Sequence, residues 1–161
     1  VARQLISRDS QMISGAVKEL RKMVKRSKPE RTLNVILAED NPVNALLAKT
    51  MLEKAGHAVH HVTSGLQLLS LLGGKKKFDL AVMDVEMPEL DGLETTRRVR
   101  AMEKKSGSAS HLPILALTAN ARRENYLECM AAGMDGHLSK PFDRQDMEEA
   151  IAKILSLKTA A

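Results

Sequence analysis

Apolar residues in this chain come in short unbroken runs that end on polar or acidic side chains, and the runs alternate with stretches of helical spacing. Val35, Ile36, Leu37 and Ala38 lead into Glu39 and Asp40; Leu80, Ala81, Val82 and Met83 lead into Asp84; Ile114 to Leu117 lead into Thr118. Runs of this kind predict strands buried on both faces. A further strand is expected at about 58–62 and a weaker one at about 136–139. Between them, Asn41 is a helix cap and Pro42 a first-turn residue of a helix whose inner face would be Val43, Leu46, Leu47, Met51 and Leu52, closed by Gly56. Further helices are expected at about 65–72, 93–104, 122–132 and 144–155. Strand and helix alternate five times, which predicts an α/β domain: a five-stranded parallel sheet with right-handed crossovers and helices on both faces. In such sheets the ligand site lies beyond the carboxyl ends of the strands. Glu39, Asp40, Asp84, Thr118 and Lys140 all fall there.

Ahead of this pattern, Ile13, Val17, Leu20 and Val24 recur at gaps of four and three. That predicts an extra N-terminal helix over about 10–26, with Ser10 as cap and Gly15 as a weak point. Pro29 breaks any continuous helix into the domain. The expected organisation is a basic linker helix over 1–31, a domain over 32–157 and a tail over 158–161.

Charge sharpens that division. The net charge is +5, but residues 1–31 carry nine Lys/Arg against three Asp/Glu, and the remaining 130 residues carry 16 against 17. The basic excess therefore belongs to the linker segment, which reads as a solvated helix face rather than a nucleic-acid domain. Cys129 is the only cysteine, so no intrachain disulfide is possible. No apolar run approaches the roughly 20 residues that span a bilayer, and no signal peptide is visible. A cytoplasmic setting is expected, although the full-length protein could be membrane-anchored. The start at Val1 suggests a fragment of something longer, and 161 residues leave no room for a DNA-binding effector domain.

Three carboxylates on one edge repel one another unless a cation sits among them. Mg²⁺ suits the set, since it takes oxygen ligands and is commonly held by one or two carboxylates plus a phosphate. Asp84 could then act as a nucleophile toward a phosphoryl group, with Thr118 donating a hydroxyl and Lys140 pairing with another oxygen.

The runs V-I-L-A-E-D-N-P-V-N, M-D-V-E-M-P-E-L-D-G, A-L-T-A-N-A and S-K-P-F occur in this order. Together they resemble the response-regulator receiver domain, and the E-D-N-P-V-N form is most like receivers of hybrid sensor histidine kinases. The resemblance covers about 32–156 and implies a doubly wound, flavodoxin-like strand order 2-1-3-4-5. It implies an aspartyl phosphate on Asp84, with Mg²⁺ ligated by Asp40, Asp84 and the backbone carbonyl of Glu86, and with Glu39 acting through water. Thr118 and Lys140 take switch and phosphate-pairing roles, Glu86 and Asn120 tune phosphate lifetime, and the Lys140-Pro141 bond is expected to be cis. The usual aromatic switch position holds His137. The implied partner is a histidine kinase or histidine phosphotransfer protein, with a homodimer through the N-terminal helix as a further expectation. Such a domain catalyses its own phosphotransfer and dephosphorylation within a phosphorelay, and the full-length protein could be a histidine kinase. The competing readings are a phosphorylation-independent interaction module and an aspartyl-nucleophile phosphohydrolase. The second lacks the acid expected two residues after its nucleophile, because Asp84 is followed by Val85 and Glu86. His57, His60, His61 and His111 show no metal-ligand spacing and are read as surface or packing residues.

Overall fold

The computed structural model describes residues 12–20, 32–107, 109–120 and 122–159. The chain divides into two compact units, Val1–Arg31 and Thr32–Ala161. In the first, residues 12–20 are helical. The expected cap Ser10 and the last apolar position, Val24, lie outside the described residues.

In the second unit the strands are β1 (Asn34–Ala38), β2 (Ala58–Val62), β3 (Leu80–Asp84), β4 (Ile114–Thr118) and β5 (Gly136–Ser139). They form one parallel sheet in the order β2-β1-β3-β4-β5. The helices are α1 (Pro42–Lys54), α2 (Gly65–Leu72), α3 (Gly92–Lys105), α4 (Arg123–Ala132) and α5 (Arg144–Thr159). The last runs beyond the expected end near Leu155.

Successive side chains of a strand point to opposite faces, and this sorts the core into two layers. Val35, Leu37, Val82, Leu115 and Leu117 pack with Ala48 and Leu52 of α1 and Met147, Ile151 and Ile154 of α5. Ile36, Ala38, Ala81, Met83, Ile114 and Ala116 pack with Leu68 of α2, Val99 of α3 and Cys129 of α4. Because both faces are covered, β1, β3 and β4 carry apolar residues without alternation, which is why they were plain in the sequence. Burial pushes the Cys129 thiol above its ordinary pKa, in keeping with a packing role.

One expectation is corrected. Asn41 does cap α1, its side chain accepting from the N–H groups of Val43 and Asn44 at 3.0 and 3.1 Å. The buried face, however, is Ala45, Ala48 and Leu52. Val43, Leu46 and Leu47 are 67, 66 and 55% exposed. Positions 45, 48 and 52 share one stripe at helical spacing just as the larger residues do. The two alanines let the helix backbone lie close to the sheet, so the larger residues are turned to the surface.

Candidate functional site

The parallel register brings the strand ends level. Ala38 pairs with Met83, Asp84 with Leu117 and Thr118 with Ser139. The polar residues that follow or close these strands therefore lie along one edge. Alternation then divides them: Glu39, Asp84 and Lys140 continue the positions that face α1 and α5, whereas Thr118 and His137 continue those that face α2, α3 and α4.

On the first side, carboxylate oxygens of Glu39, Asp40 and Asp84 all lie within 4.8 Å of one another. Glu39 is 1% exposed and Asp84 6%, while Asp40 is exposed. Lys140 Nζ donates to Glu39 Oε2 at 3.2 Å and to Asp84 Oδ2 at 3.1 Å. The other Asp84 oxygen, Oδ1, accepts the Glu86 N–H at 3.0 Å. Burial, and then the neighbouring charge of Asp84, raise the Glu39 pKa above its ordinary value, against the Asn41 N–H and Lys140, which lower it. Burial also opposes the Lys140 ammonium, but its bonds and charge pairing with Asp84 and Glu39 outweigh this and hold its pKa above the ordinary value. With all three acids ionised, one lysine leaves two negative charges uncompensated at this edge. Their all-oxygen donors suit a hard divalent cation.

The sheet's other side holds the remaining expected residues. Thr118 is buried, and its Oγ1 donates to the Asn120 carbonyl at 3.2 Å, so the hydroxyl is engaged within the loop between β4 and α4. Thr118, Glu86 and Asn120 line a cavity of about 150 Å³ with Cys129 at its wall. His137 meets Tyr126 of α4 edge to face, ring centroids 5.1 Å apart. The Lys140-Pro141 peptide is cis, as expected.

Two residues in the support of the site were not foreseen in that role. Gly92 begins α3 directly beneath Asp84: a Cβ there would sit 2.6 Å from the Asp84 carbonyl oxygen and 2.9 Å from Val85 Cα. The sequence suggested only a turn and a helix start, and Asp91 does cap α3 by accepting the Glu94 N–H at 2.8 Å. His61 lies at the surface, within the surface or packing role expected of it, and its Nε2 is 2.8 Å from the Glu39 carbonyl oxygen.

Comparison with known proteins agrees with this arrangement. Residues 35–152 match the family model of the response regulator receiver domain. The chain is 42% identical over 136 residues to probable histidine kinase 6 of Oryza sativa subsp. japonica, covering 76% of this chain and 14% of that protein. It is 39% identical over 139 residues to histidine kinase 2 of Arabidopsis thaliana, covering 76% and 12%. The chain thus spans about a seventh or less of these relatives. Among solved structures, the receiver domain of a Pseudomonas aeruginosa sensor histidine kinase, with a magnesium ion coordinated in its active-site cleft, aligns with a TM-score of 0.68 at 34% identity. That match covers 78% of this chain and 99% of that one. A chemotaxis response regulator of Vibrio cholerae aligns with a TM-score of 0.69 at 27% identity, over 77% and 99%. Among the described residues, no helix is long and apolar enough to cross a membrane. The fold order, the acid cluster with its lysine, and the family match over most of the domain lead to one conclusion: the chain belongs to the response-regulator receiver family.

Proposed function

We propose that this domain is a phosphoacceptor in a two-component phosphorelay, taking a phosphoryl group from a phosphohistidine onto Asp84. The observation that carries the reading is the set of Glu39, Asp40, Asp84 and Lys140 at one strand edge with negative charge in excess. In the transfer an Asp84 oxygen forms a bond to phosphorus as the phosphorus–nitrogen bond of the donor breaks, and the imidazole nitrogen leaves with that electron pair. Asp40, Asp84 and the Glu86 carbonyl would hold Mg²⁺, with Glu39 through water. The ion would supply charge compensation for the donor's oxygens. Lys140, already beside Asp84, is placed to pair with a phosphoryl oxygen. Thr118 would leave the Asn120 carbonyl to donate to the phosphoryl group, and Glu86 and Asn120 at the same cavity would tune how long the phosphate lasts. The contact of His137 with Tyr126 offers a route from that movement to α4.

A donor protein needs a surface beside Asp84. Leu47 on α1, exposed like Val43 and Leu46 of the same helix, lines an open groove together with Met51, Pro141, Phe142, Glu39 and Lys140. That apolar rim suits a histidine kinase or histidine phosphotransfer protein. The heptad-like Ile13, Val17, Leu20 and Val24 support a homodimer through the N-terminal helix, which the mass in solution would test. By analogy with the plant relatives, the domain would belong to a hybrid histidine kinase.

The test is transfer of labelled phosphate from a phosphorylated histidine donor. The parent should label in Mg²⁺ and not in EDTA, and Asp84→Asn should label not at all. Labelling of Asp84→Asn equal to the parent would disprove the assignment, and a parent that never labels would favour a phosphorylation-independent module.

A further inference from the structure

We propose that His61 is a positioning residue for the acidic pair, fixing the peptide between Glu39 and Asp40 through its carbonyl. The proposal rests on the phosphoacceptor reading for its purpose but not for its geometry. Glu39 lies just past the end of β1. Its N–H donates to the Val62 carbonyl at 3.1 Å. Its own carbonyl points where β2 has no further strand residue to meet it, and there the His61 ring lies, with Nε2 at 2.8 Å. Consecutive residues of β2 thus hold both the N–H and the carbonyl of one residue.

A carbonyl oxygen can only accept, so the ring must carry its proton on Nε2. The Glu39 carbonyl and the Asp40 nitrogen belong to one planar peptide unit. Fixing the carbonyl therefore fixes the direction in which the chain enters Asp40, the exposed member of the acid cluster. Glu39 is also held through its side chain, by Lys140 at 3.2 Å and by the Asn41 N–H at 3.2 Å. Asp40 lacks that burial, and the peptide that His61 grips is its rigid link to β1. The strand's alternation supports the assignment: His61 shares the face of Val59, which packs on the α1 and α5 core, whereas His60 points the other way and meets Phe78 edge to face at 5.4 Å.

His61 is itself exposed, so its replacement leaves the core intact. Three measurements test the proposal in the full chain. Nitrogen-15 spectra of metal-free protein at mildly alkaline pH should show His61 as the tautomer protonated on Nε2; the Nδ1 tautomer would overturn it. In metal-free His61→Ala the Asp40 amide and carboxyl resonances should shift; unchanged resonances would count against it. Calorimetric Mg²⁺ titration should show His61→Ala binding roughly three- to tenfold more weakly. His61→Gln, whose amide N–H can reach the same carbonyl, should recover most of that loss. Binding by His61→Ala within twofold of the parent, or a glutamine variant as weak as the alanine one, would refute the role. A merely structural histidine would lower stability and leave the folded protein's Mg²⁺ affinity alone. Should the parent itself bind no Mg²⁺, the phosphoacceptor reading falls, and the tautomer and the Asp40 shifts judge His61 by themselves.

Discussion

The two ends of the sheet carry comparable numbers of charged groups and use them in opposite ways. At the amino end, Arg100 donates to Asp135 at 2.9 Å, to Glu103 and to the Gly133 carbonyl, and His111 meets Asp135 at 2.6 Å. The same acids also take backbone donors: Asp135 accepts the Ile114 N–H, Glu103 that of Leu112, and Asp79 that of Asn34. There each acid is taken up by donors, Arg100 and the backbone N–H groups that open the strands, so the strand starts are fastened by side chains. At the carboxyl end three acids share one lysine. Acids satisfied by side-chain and backbone donors hold a fold together, whereas buried carboxylates packed against one another cost stability that a ligand can restore. Acids facing one another rather than donors, more than the number of charges, distinguish the site from the clamp.

The largest expected effect comes from breaking the clamp. Asp135→Ala would strand the Ile114 N–H and take one of three partners from the partly buried Arg100, at a cost of about 3 kcal/mol in urea unfolding. Mg²⁺ affinity of the folded protein should be unchanged. An equal loss of affinity would show that the two ends are coupled and that the comparison fails.

A somewhat smaller effect is expected where the site rests on its own scaffold. Gly92→Ala puts a Cβ against the Asp84 carbonyl and Val85 Cα, both backbone atoms with little freedom to yield. We expect a loss of about 2 kcal/mol, together with weaker Mg²⁺ binding because the β3–α3 loop must shift. If the alanine variant matches the parent in both, Gly92 is not the tight point described.

Which features could be read in advance follows from what a periodic pattern records. Strands covered on both faces announce themselves as apolar runs, and the residues that close them announce the site, so Asp84, Asp40, Thr118 and Lys140 were legible together with the strand order their family implies. The orientation of α1 was not, because Ala45 and Ala48 contribute little hydrophobic signal although their small size decides which face meets the sheet. His61 and Glu39 are 22 residues apart, and Arg100 and Asp135 are 35. Contacts across such distances leave no spacing to detect. Gly92 looked like an ordinary turn glycine, since nothing local shows what lies above it.

The smallest effect compares the two ends through pH. At the amino end, His57 is buried and its Nδ1 accepts the Leu33 N–H at 3.3 Å, which requires that nitrogen to be unprotonated. Burial lowers its pKa below the ordinary 6.5, with Glu148 opposing weakly. Below pH 6.5 the unfolded chain therefore binds a proton that the folded one refuses, and stability falls as pH drops from 6.5 through the folded value. Glu39 has the opposite sign. Its folded pKa is raised above 4.5, so the folded chain holds the proton longer, and stability is lost as pH rises from 4.5 through the folded value. In unfolding measured in EDTA the two contributions therefore oppose each other across pH 4 to 8, His57 favouring the upper end of the range and Glu39 the lower. His57→Gln should remove the loss on acidification below 6.5, at a cost of about 1 kcal/mol near neutrality for the altered bond to Leu33, and Glu39→Gln should remove the loss on raising the pH above 4.5. Mg²⁺ should also diminish the Glu39 dependence and leave the His57 one in place, because the carboxylates that converge on one another lie at the carboxyl end and His57 at the other. A pH dependence that His57→Gln leaves unchanged would place the responsible proton elsewhere.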